Sequence, residues 1–426
     1  MTATAAPSSA VFLRRESRVR SYCRHFDSVF DTARGSLVWD AEGHEYIDFL
    51  AGAGSLNYGH NDPDMAAALV AYIQRGGITH GLDLFTAAKQ AFLEAFEGLV
   101  LAPRGMDHRV QFTGPTGTNA VEAALKLARK VTGQRNVIAF TNGFHGVTQG
   151  ALAATGNQHH RMDGTLSLPD VTRLPYDGYI GDGVDTAGLL DQMLSDPSSG
   201  VDAPAAVILE TVQGEGGLNV ASPGWLRRVA GIAERHGALL IVDDVQAGCG
   251  RTGTFFSTEE SGIEPDMIAM SKSISGFGLP LALLLIRPQW DQWTPGEHNG
   301  TFRGNAHAFV TARVALEKFW GDTAFVRDVQ LRSAVVAQRL ARIAGLVPGA
   351  RVKGRGMMQG VDVGHGSVAE RICRRSAEHG LIVESAGPDD EVIKILAPLT
   401  TPELLLSRGL DILEESVAAN RHALVA

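Results

Sequence analysis

Cysteine is scarce: Cys23, Cys249 and Cys373 are the only three in 426 residues. They are too few and too scattered for a disulfide framework or a zinc site, and a reducing, cytoplasmic setting fits that usage. Long apolar runs are missing too. None reaches the length that a bilayer-spanning helix needs, so no membrane partner is expected. There is no basic excess: 38 Lys and Arg stand against 47 Asp and Glu, a formal net charge of −9 with both signs spread along the chain. A nucleic-acid-binding surface normally needs the opposite balance. Residues Met1 to Pro7 lack the cationic segment and apolar core of a signal peptide and read as a frayed tail. No internal repeat is evident. The adjacent pair His159 and His160 has no nearby acid or cysteine to complete a ligand set, so no metal is expected.

Apolar residues are abundant, at 44% against 20% charged, enough for a large core. The length suggests two or three domains. Residues 37–49 read as a hairpin, with its turn at Ala41, Glu42 and Gly43. A Gly-rich loop follows at 51–60, then amphipathic helices at 64–74 and 86–99. From 110 to 286 short apolar strands alternate with helices. The strands are expected at 110–112, 137–140, 205–209, 239–242, 267–270 and 281–286. That rhythm predicts an α/β fold with a mainly parallel sheet and helices on both faces. One long helical stretch is expected from 309 to 343, a helix at 368–379 and a terminal helix at 402–423. The expected division is 1–60 as an N-terminal segment sharing a small domain, 61–320 as a large domain, and 321–426 as the rest of the small one.

The most informative stretch is 237–272. Ala238, Leu239, Leu240, Ile241 and Val242 form a run suited to a strand buried on both faces. It changes abruptly to Asp243, Asp244, Val245 and Gln246. A second apolar run, 267–270, ends at Ser271 and Lys272. Ligands of open α/β sheets bind at the C-terminal strand ends. An Asp and a Lys on two such ends suit pyridoxal 5'-phosphate: the amine bonds to the cofactor aldehyde and the carboxylate keeps the pyridine nitrogen protonated. Alone, such a Lys is usually a solvated surface residue and such an Asp a turn or cap. The reading depends on convergence with other segments.

Three segments converge. Residues 112–119 place Thr113, Gly114, Thr116, Gly117 and Thr118 between a strand and a strong helix at 120–130. Asn119 and Glu122 resemble a capping pair, with Gly133 closing the far end. Such a turn is either an anion site or an ordinary cap. Phe144, after the next strand, would either lie on a pyridine ring or pack in the core. Residues 210–217 carry Glu210, Glu215 and several glycines, the composition of a polar active-site wall or of a solvated loop.

Taken in order, these motifs resemble the class III (ω-amino acid) aminotransferases of pyridoxal-phosphate fold type I. The resemblance rests on 116–122, Phe144-His145-Gly146, 210–216, Asp243-Asp244-Val245-Gln246, Ser271-Lys272 and 299–305, and covers the chain from about Arg18. A narrower likeness, at 49–61, 111–117 and 296–305, is to the branch that makes diaminobutyrate for ectoine biosynthesis. The resemblance implies that Lys272 bonds to the cofactor and Asp243 pairs with its ring nitrogen. It places Phe144 and Val245 on the two ring faces and Gln246 near the ring hydroxyl. His145 is among the cofactor contacts, and Gly117 and Thr118 hold the phosphate. Thr301 would reach the phosphate of a neighbouring subunit, which implies a homodimer. Glu215 matches a switchable acid that, in relatives, pairs with an Arg when the substrate has no α-carboxylate nearby.

Two positions depart from the pattern. Asp244 stands where the family has Glu. Lys394 stands where the Arg partner of Glu215 is expected, and a Lys cannot clamp a carboxylate bidentately. The implied substrates are glutamate and aspartate 4-semialdehyde. Rival readings are an ornithine- or 4-aminobutyrate-type transaminase, a class III aminomutase or racemase, and a cofactor-sensing regulator. The last lacks a basic helix-turn-helix here.

Overall fold

The computed structural model describes residues 9–22, 26, 28–161 and 166–420. The expected frayed tail at 1–7, Cys23 and the last three positions of the expected terminal helix lie outside the described residues.

Seven strands form the main sheet, in the order Arg109–Phe112, Leu283–Ile286, Met267–Met270, Leu239–Asp243, Pro204–Leu209, Asn136–Phe140 and Val171–Leu174. From Met267–Met270 to Val171–Leu174 all neighbours are parallel. The other two strands join antiparallel at one edge. The five inner strands are buried along their whole length, and the two edge strands are not. Alternate residues serve opposite faces, as the pleat requires. Val137, Ala139, Ile208 and Ile241 pack under the helix Gly117–Thr132. Ile138, Phe140, Val207 and Val242 pack with Trp225, Leu226 and Val229 of the helix Pro223–Arg235 on the other face.

The strand Val171–Leu174 went unread in the sequence. It is a half-exposed edge of four residues, two of them polar, and has no continuous apolar run. The single helix expected from 309 to 343 is two, Ala306–Phe319 and Ala324–Ala344. The indole of Trp320 donates to the Tyr58 hydroxyl at 2.8 Å, and Asp322 accepts from the Ala324 N–H at 2.7 Å. Those two ties and Gly321 fix a corner between the helices.

The hairpin strands Leu37–Asp40 and Glu45–Asp48 form as expected, with Asp40 accepting from the Glu42 and His44 N–H groups at 3.0 and 2.9 Å. Phe30–Arg34 adds before them, and Leu381–Ile382 pairs parallel with Glu45–Asp48. The N-terminal hairpin and the C-terminal segment therefore share a sheet. A further antiparallel sheet has the order Arg351–Arg355, Met358–Asp362, Val392–Ile395, Glu384–Ala386. Among the described residues no helix is long and apolar enough to cross a membrane.

Candidate active site

Parallel strands bring their C-terminal ends to one edge of the sheet, and the candidate residues follow those ends. Asp243 is the last residue of its strand and pairs with Ala269, three positions before Lys272. Phe144 and His145 lie just past Asn136–Phe140, and Glu210 directly follows Pro204–Leu209. Lys272 opens a short 3-10 turn, Lys272–Ser275, with a left-handed φ of +52°. For a residue with a Cβ that conformation costs on the order of 1 kcal/mol. The turn is braced around it. Ser273 Oγ donates to Gly54 O at 2.8 Å and accepts from Asn57 N at 3.1 Å, while Thr311 Oγ1 donates to Ser275 O at 2.7 Å.

Asp243 is buried, and both carboxylate oxygens are engaged. Oδ2 lies 2.9 Å from His145 Nδ1, and Oδ1 accepts from Val245 N at 3.2 Å. The His145 N–H is held by Thr155 Oγ1 at 3.0 Å. Burial disfavours charge on His145, but the bond to Asp243 and the field of Asp243 and Glu210 outweigh it and raise its pKa. Burial lifts Glu210 to about 7 against the opposing pull of His145. It lifts Asp244 to about 7 as well, despite bonds from Ser257.

At the other end of the site, the helix Gly117–Thr132 starts one turn earlier than expected. Thr116 is its N-cap, with Thr116 Oγ1 donating to Asn119 Oδ1 at 2.9 Å. Glu122 is not the partner of Asn119 in a capping pair. It reaches across to the helix Gln149–Ala154, where its Oε1 accepts from Gly150 N at 2.9 Å, Ala151 N at 3.0 Å and Thr148 Oγ1 at 2.6 Å. A local motif was overridden by a better set of orphan donors nearby. Gly133 does close the helix, at φ +69°. Gly117 and Thr118 are the first two helical residues, so their N–H groups point out of the helix unpaired by it. A Cβ on Gly117 would come within 2.8 Å of Val245 Cγ1, so only glycine fits between the helix start and Val245.

The third group surrounds Lys394. This side chain is fully buried, with Nζ 2.9 Å from Glu215 Oε1 and 3.1 Å from Glu384 Oε1. Gln246 Nε2 also donates to Glu215 Oε1, at 3.0 Å, and to Ala53 O, at 3.1 Å. Burial would raise Glu215, but Lys394 and then Lys272 draw it down to about 2. Glu384 goes the other way: burial lifts it to about 7 against the pull of Lys394. The two acids hold Lys394 charged against the burial that opposes it. Burial lowers the pKa of Lys272, and the charges acting on it are Glu215, Lys394, Glu384 and Asp243. All of these groups therefore lie within electrostatic reach of Lys272.

Phe144 is half-buried and lines a small cavity with His160, Glu215 and Gly216; its ring meets His160 edge-on at 5.2 Å. Thr301 is exposed and makes no hydrogen bond to the other candidates. Glu384 and Tyr22 were not anticipated. Tyr22 is about half exposed, and partial desolvation followed by the fields of Glu215 and Glu384 raises its pKa. Glu384 carried a readable signal, an acid directly after the apolar run Leu381, Ile382, Val383.

The residues fit pyridoxal 5'-phosphate. Gln246 Oε1 is buried without a hydrogen bond, as a group awaiting a ring hydroxyl would be. The helix start at Gly117 and Thr118 offers backbone N–H groups that the helix leaves unpaired, as a phosphate needs. Asp243 is fixed by two donors, and Lys272 is the nearby amine with a lowered pKa.

The description of class-III aminotransferases matches residues 20–417. A diaminobutyrate–2-oxoglutarate transaminase of Vibrio cholerae is 57% identical over 95% of this chain and 98% of its own. One from Vibrio parahaemolyticus is 56% identical over 96% and 97%. The ornithine aminotransferase of Toxoplasma gondii, solved with partial occupancy of pyridoxal phosphate at its active site, superposes with a TM-score of 0.84. It is 28% identical, over 98% of this chain and 95% of that one.

Proposed function

This chain belongs to the class III aminotransferases, and from that premise we propose that it transfers the amino group of L-glutamate to the aldehyde carbon of L-aspartate 4-semialdehyde. The products are 2-oxoglutarate and L-2,4-diaminobutyrate, and the route it serves is ectoine biosynthesis. The substrate pair rests on the relatives that are 53–57% identical and carry that activity in their names. The observation that carries the chemistry is the emergence of Asp243 and Lys272 at one edge of the sheet, from adjacent parallel strands.

The cofactor is pyridoxal 5'-phosphate, which when bound bonds to the amine and takes up the electrons released as the substrate C–H bond breaks. This chain's residues do the rest. Lys272, with its lowered pKa, is available as a free base; it removes a proton from the substrate carbon and returns it as an acid. Asp243, itself steadied by His145, keeps a proton on the ring nitrogen. The N–H groups of Gly117 and Thr118 bind the phosphate at the helix start. Phe144 and Val245 flank the ring, and Gln246 meets its hydroxyl.

Thr301 serves the phosphate of a second copy, making the functional unit a homodimer. The surface beside it supports this. Phe302 stacks on His80 with ring centroids 5.5 Å apart, and Phe302, Leu84 and Phe85 are 73%, 65% and 103% exposed. Apolar surface so open is expected to be covered. We place the enzyme in the cytoplasm, where its substrates are metabolised.

The test is a coupled assay of the pure protein with glutamate and a panel of semialdehydes. Aspartate 4-semialdehyde should give the highest kcat/KM, with one 2-oxoglutarate released per amino group moved. Faster turnover of glutamate 5-semialdehyde or succinate semialdehyde would reassign the substrate. Product without 2-oxoglutarate would make the protein an aminomutase.

A further inference from the structure

The two substrates of the proposed reaction differ at the reacting carbon. Glutamate carries a carboxylate on it, whereas the γ-carbon of diaminobutyrate carries none. One position in the pocket must therefore hold an anion in one half of the reaction and none in the other. The cation whose charge acts on Lys272 is Lys394, and it arrives already paired with two acids. The acids differ in how they are held. Glu215 Oε1 accepts hydrogen bonds from both Lys394 and Gln246. Glu384 stands directly across the strand pair from Lys394, but its Oε1 is buried without a hydrogen bond, although Nζ lies 3.1 Å away.

One cation and two ionised acids leave this buried cluster at a net charge of −1. A substrate carboxylate would take it to −2 in a place with little water, which is strongly unfavourable. Resting on the proposed substrate pair, we propose that Glu384 is a positioning residue for Lys394. It takes up one proton from solvent when a substrate carboxylate reaches Lys394, and releases it when the substrate has none there. With Glu384 neutral, the Lys394 charge is free to be shared between Glu215 and the substrate. With Glu384 ionised, both acids hold Lys394 and the diamine meets a closed ion cluster. This would let a Lys do what a forked Arg would otherwise do alone.

The charges acting on Glu384 are Lys394 from the adjacent strand, Glu215 from the loop after Val212–Gln213 and Lys272. Tyr22 from the N-terminal segment and Cys373 from the helix Gly366–Glu378 feel its charge as well. Burial has already brought Glu384 to about 7, whereas Glu215 is held near 2. Of the two acids, Glu384 is the one poised to change state at neutral pH.

The experiment is calorimetric titration of the holoenzyme with glutarate, a dicarboxylate with no amine to react. It is run at neutral pH and about a pH unit higher, each in two buffers of different ionisation enthalpy. With Glu384 near its midpoint, the wild-type protein should take up roughly half a proton per site at neutral pH and approach one about a pH unit higher, and Glu384→Gln close to none at either. An infrared difference spectrum of the wild type should gain a protonated-carboxyl band on binding, which needs no variant. In single-turnover half-reactions, the ratio of kcat/KM for diaminobutyrate to that for glutamate should rise up to about tenfold per pH unit above neutrality, and be flat in Glu384→Gln. Proton uptake unchanged in Glu384→Gln, or no uptake and no new band in the wild type, overturns the proposal. Glutarate binding needs no turnover. A wild type that fails to transaminate glutamate would therefore count against the substrate reading, and one that transaminates it without proton uptake against Glu384 alone.

Discussion

Replacing Lys394 by methionine keeps an unbranched apolar stem, one atom shorter, and removes its charge. The site is fully buried, with acids at 2.9 and 3.1 Å, so the variant leaves two carboxylates facing each other without a cation. The drop of Glu215 from 4.5 to about 2 opposes burial and has Lys394 as its largest attraction. At about 1.4 kcal/mol per pH unit, that drop corresponds to roughly 3 kcal/mol. Breaking a buried ion pair by removing one partner costs about 3–5 kcal/mol, in the same range. The sign with pH follows from linkage. In the wild type, Glu215 has a lowered pKa, so its stabilisation is complete above about 4.5 and is lost as pH falls toward 2. In Lys394→Met, burial acts on both acids without the cation, and their folded-state pKa values rise. The folded protein then holds protons that the unfolded chain has lost, and stability falls as pH rises. Urea unfolding of holoenzyme at equal protein concentration should show a loss of about 3 kcal/mol already near pH 5, where the Glu215 stabilisation of the wild type is complete, and a larger one near pH 8. A loss below about 1 kcal/mol, or an equal loss at both pH values, would show that the cluster does not hold Lys394 as an ion pair.

Lys272→Ala should lose the visible absorption of the bound cofactor together with all turnover; transamination surviving in that variant would remove Lys272 from the chemistry. Asp243→Asn should keep the cofactor bound but lower kcat by about 10²–10³-fold, the usual size of losing one preorganised charge contact, and a rate within a factor of two of wild type would end the ring-nitrogen role. Arg251 is fully buried and its guanidinium donates to Asn57 Oδ1, Met357 O at 3.0 Å and Ala397 O at 2.7 Å. Arg251→Met strands those acceptors, at about 1–3 kcal/mol for each one left unpaired. Thermal unfolding should show a large fall in Tm, and an unchanged Tm would mean that water replaces the guanidinium.

The inner strands were legible because a strand buried on both faces is an unbroken apolar run, as at Leu239–Asp243 and Met267–Met270. The edge strand Val171–Leu174 was not, because half of it meets solvent. Asn119 and Glu122 show the limit of local motifs. Their spacing suits a cap, yet Glu122 found stronger donors 28 and 29 residues further on, at Gly150 and Ala151. The corner at Trp320 depends on a hydroxyl 262 positions earlier in the chain, which no window of the sequence contains.

Order along the chain was enough to place the strand-end residues: an apolar run followed at once by Asp243, and another followed by Lys272, because parallel strands deliver such residues to one edge whatever else the chain does. The company kept by Lys394 was decided only in three dimensions. Its bond to Glu215 joins residues 179 positions apart, and its second acid is supplied by the register between Glu384–Ala386 and Val392–Ile395. Register and loop packing are collective properties of the folded core. They determine which charges share a dielectric, and through that which of two identical side chains keeps its proton.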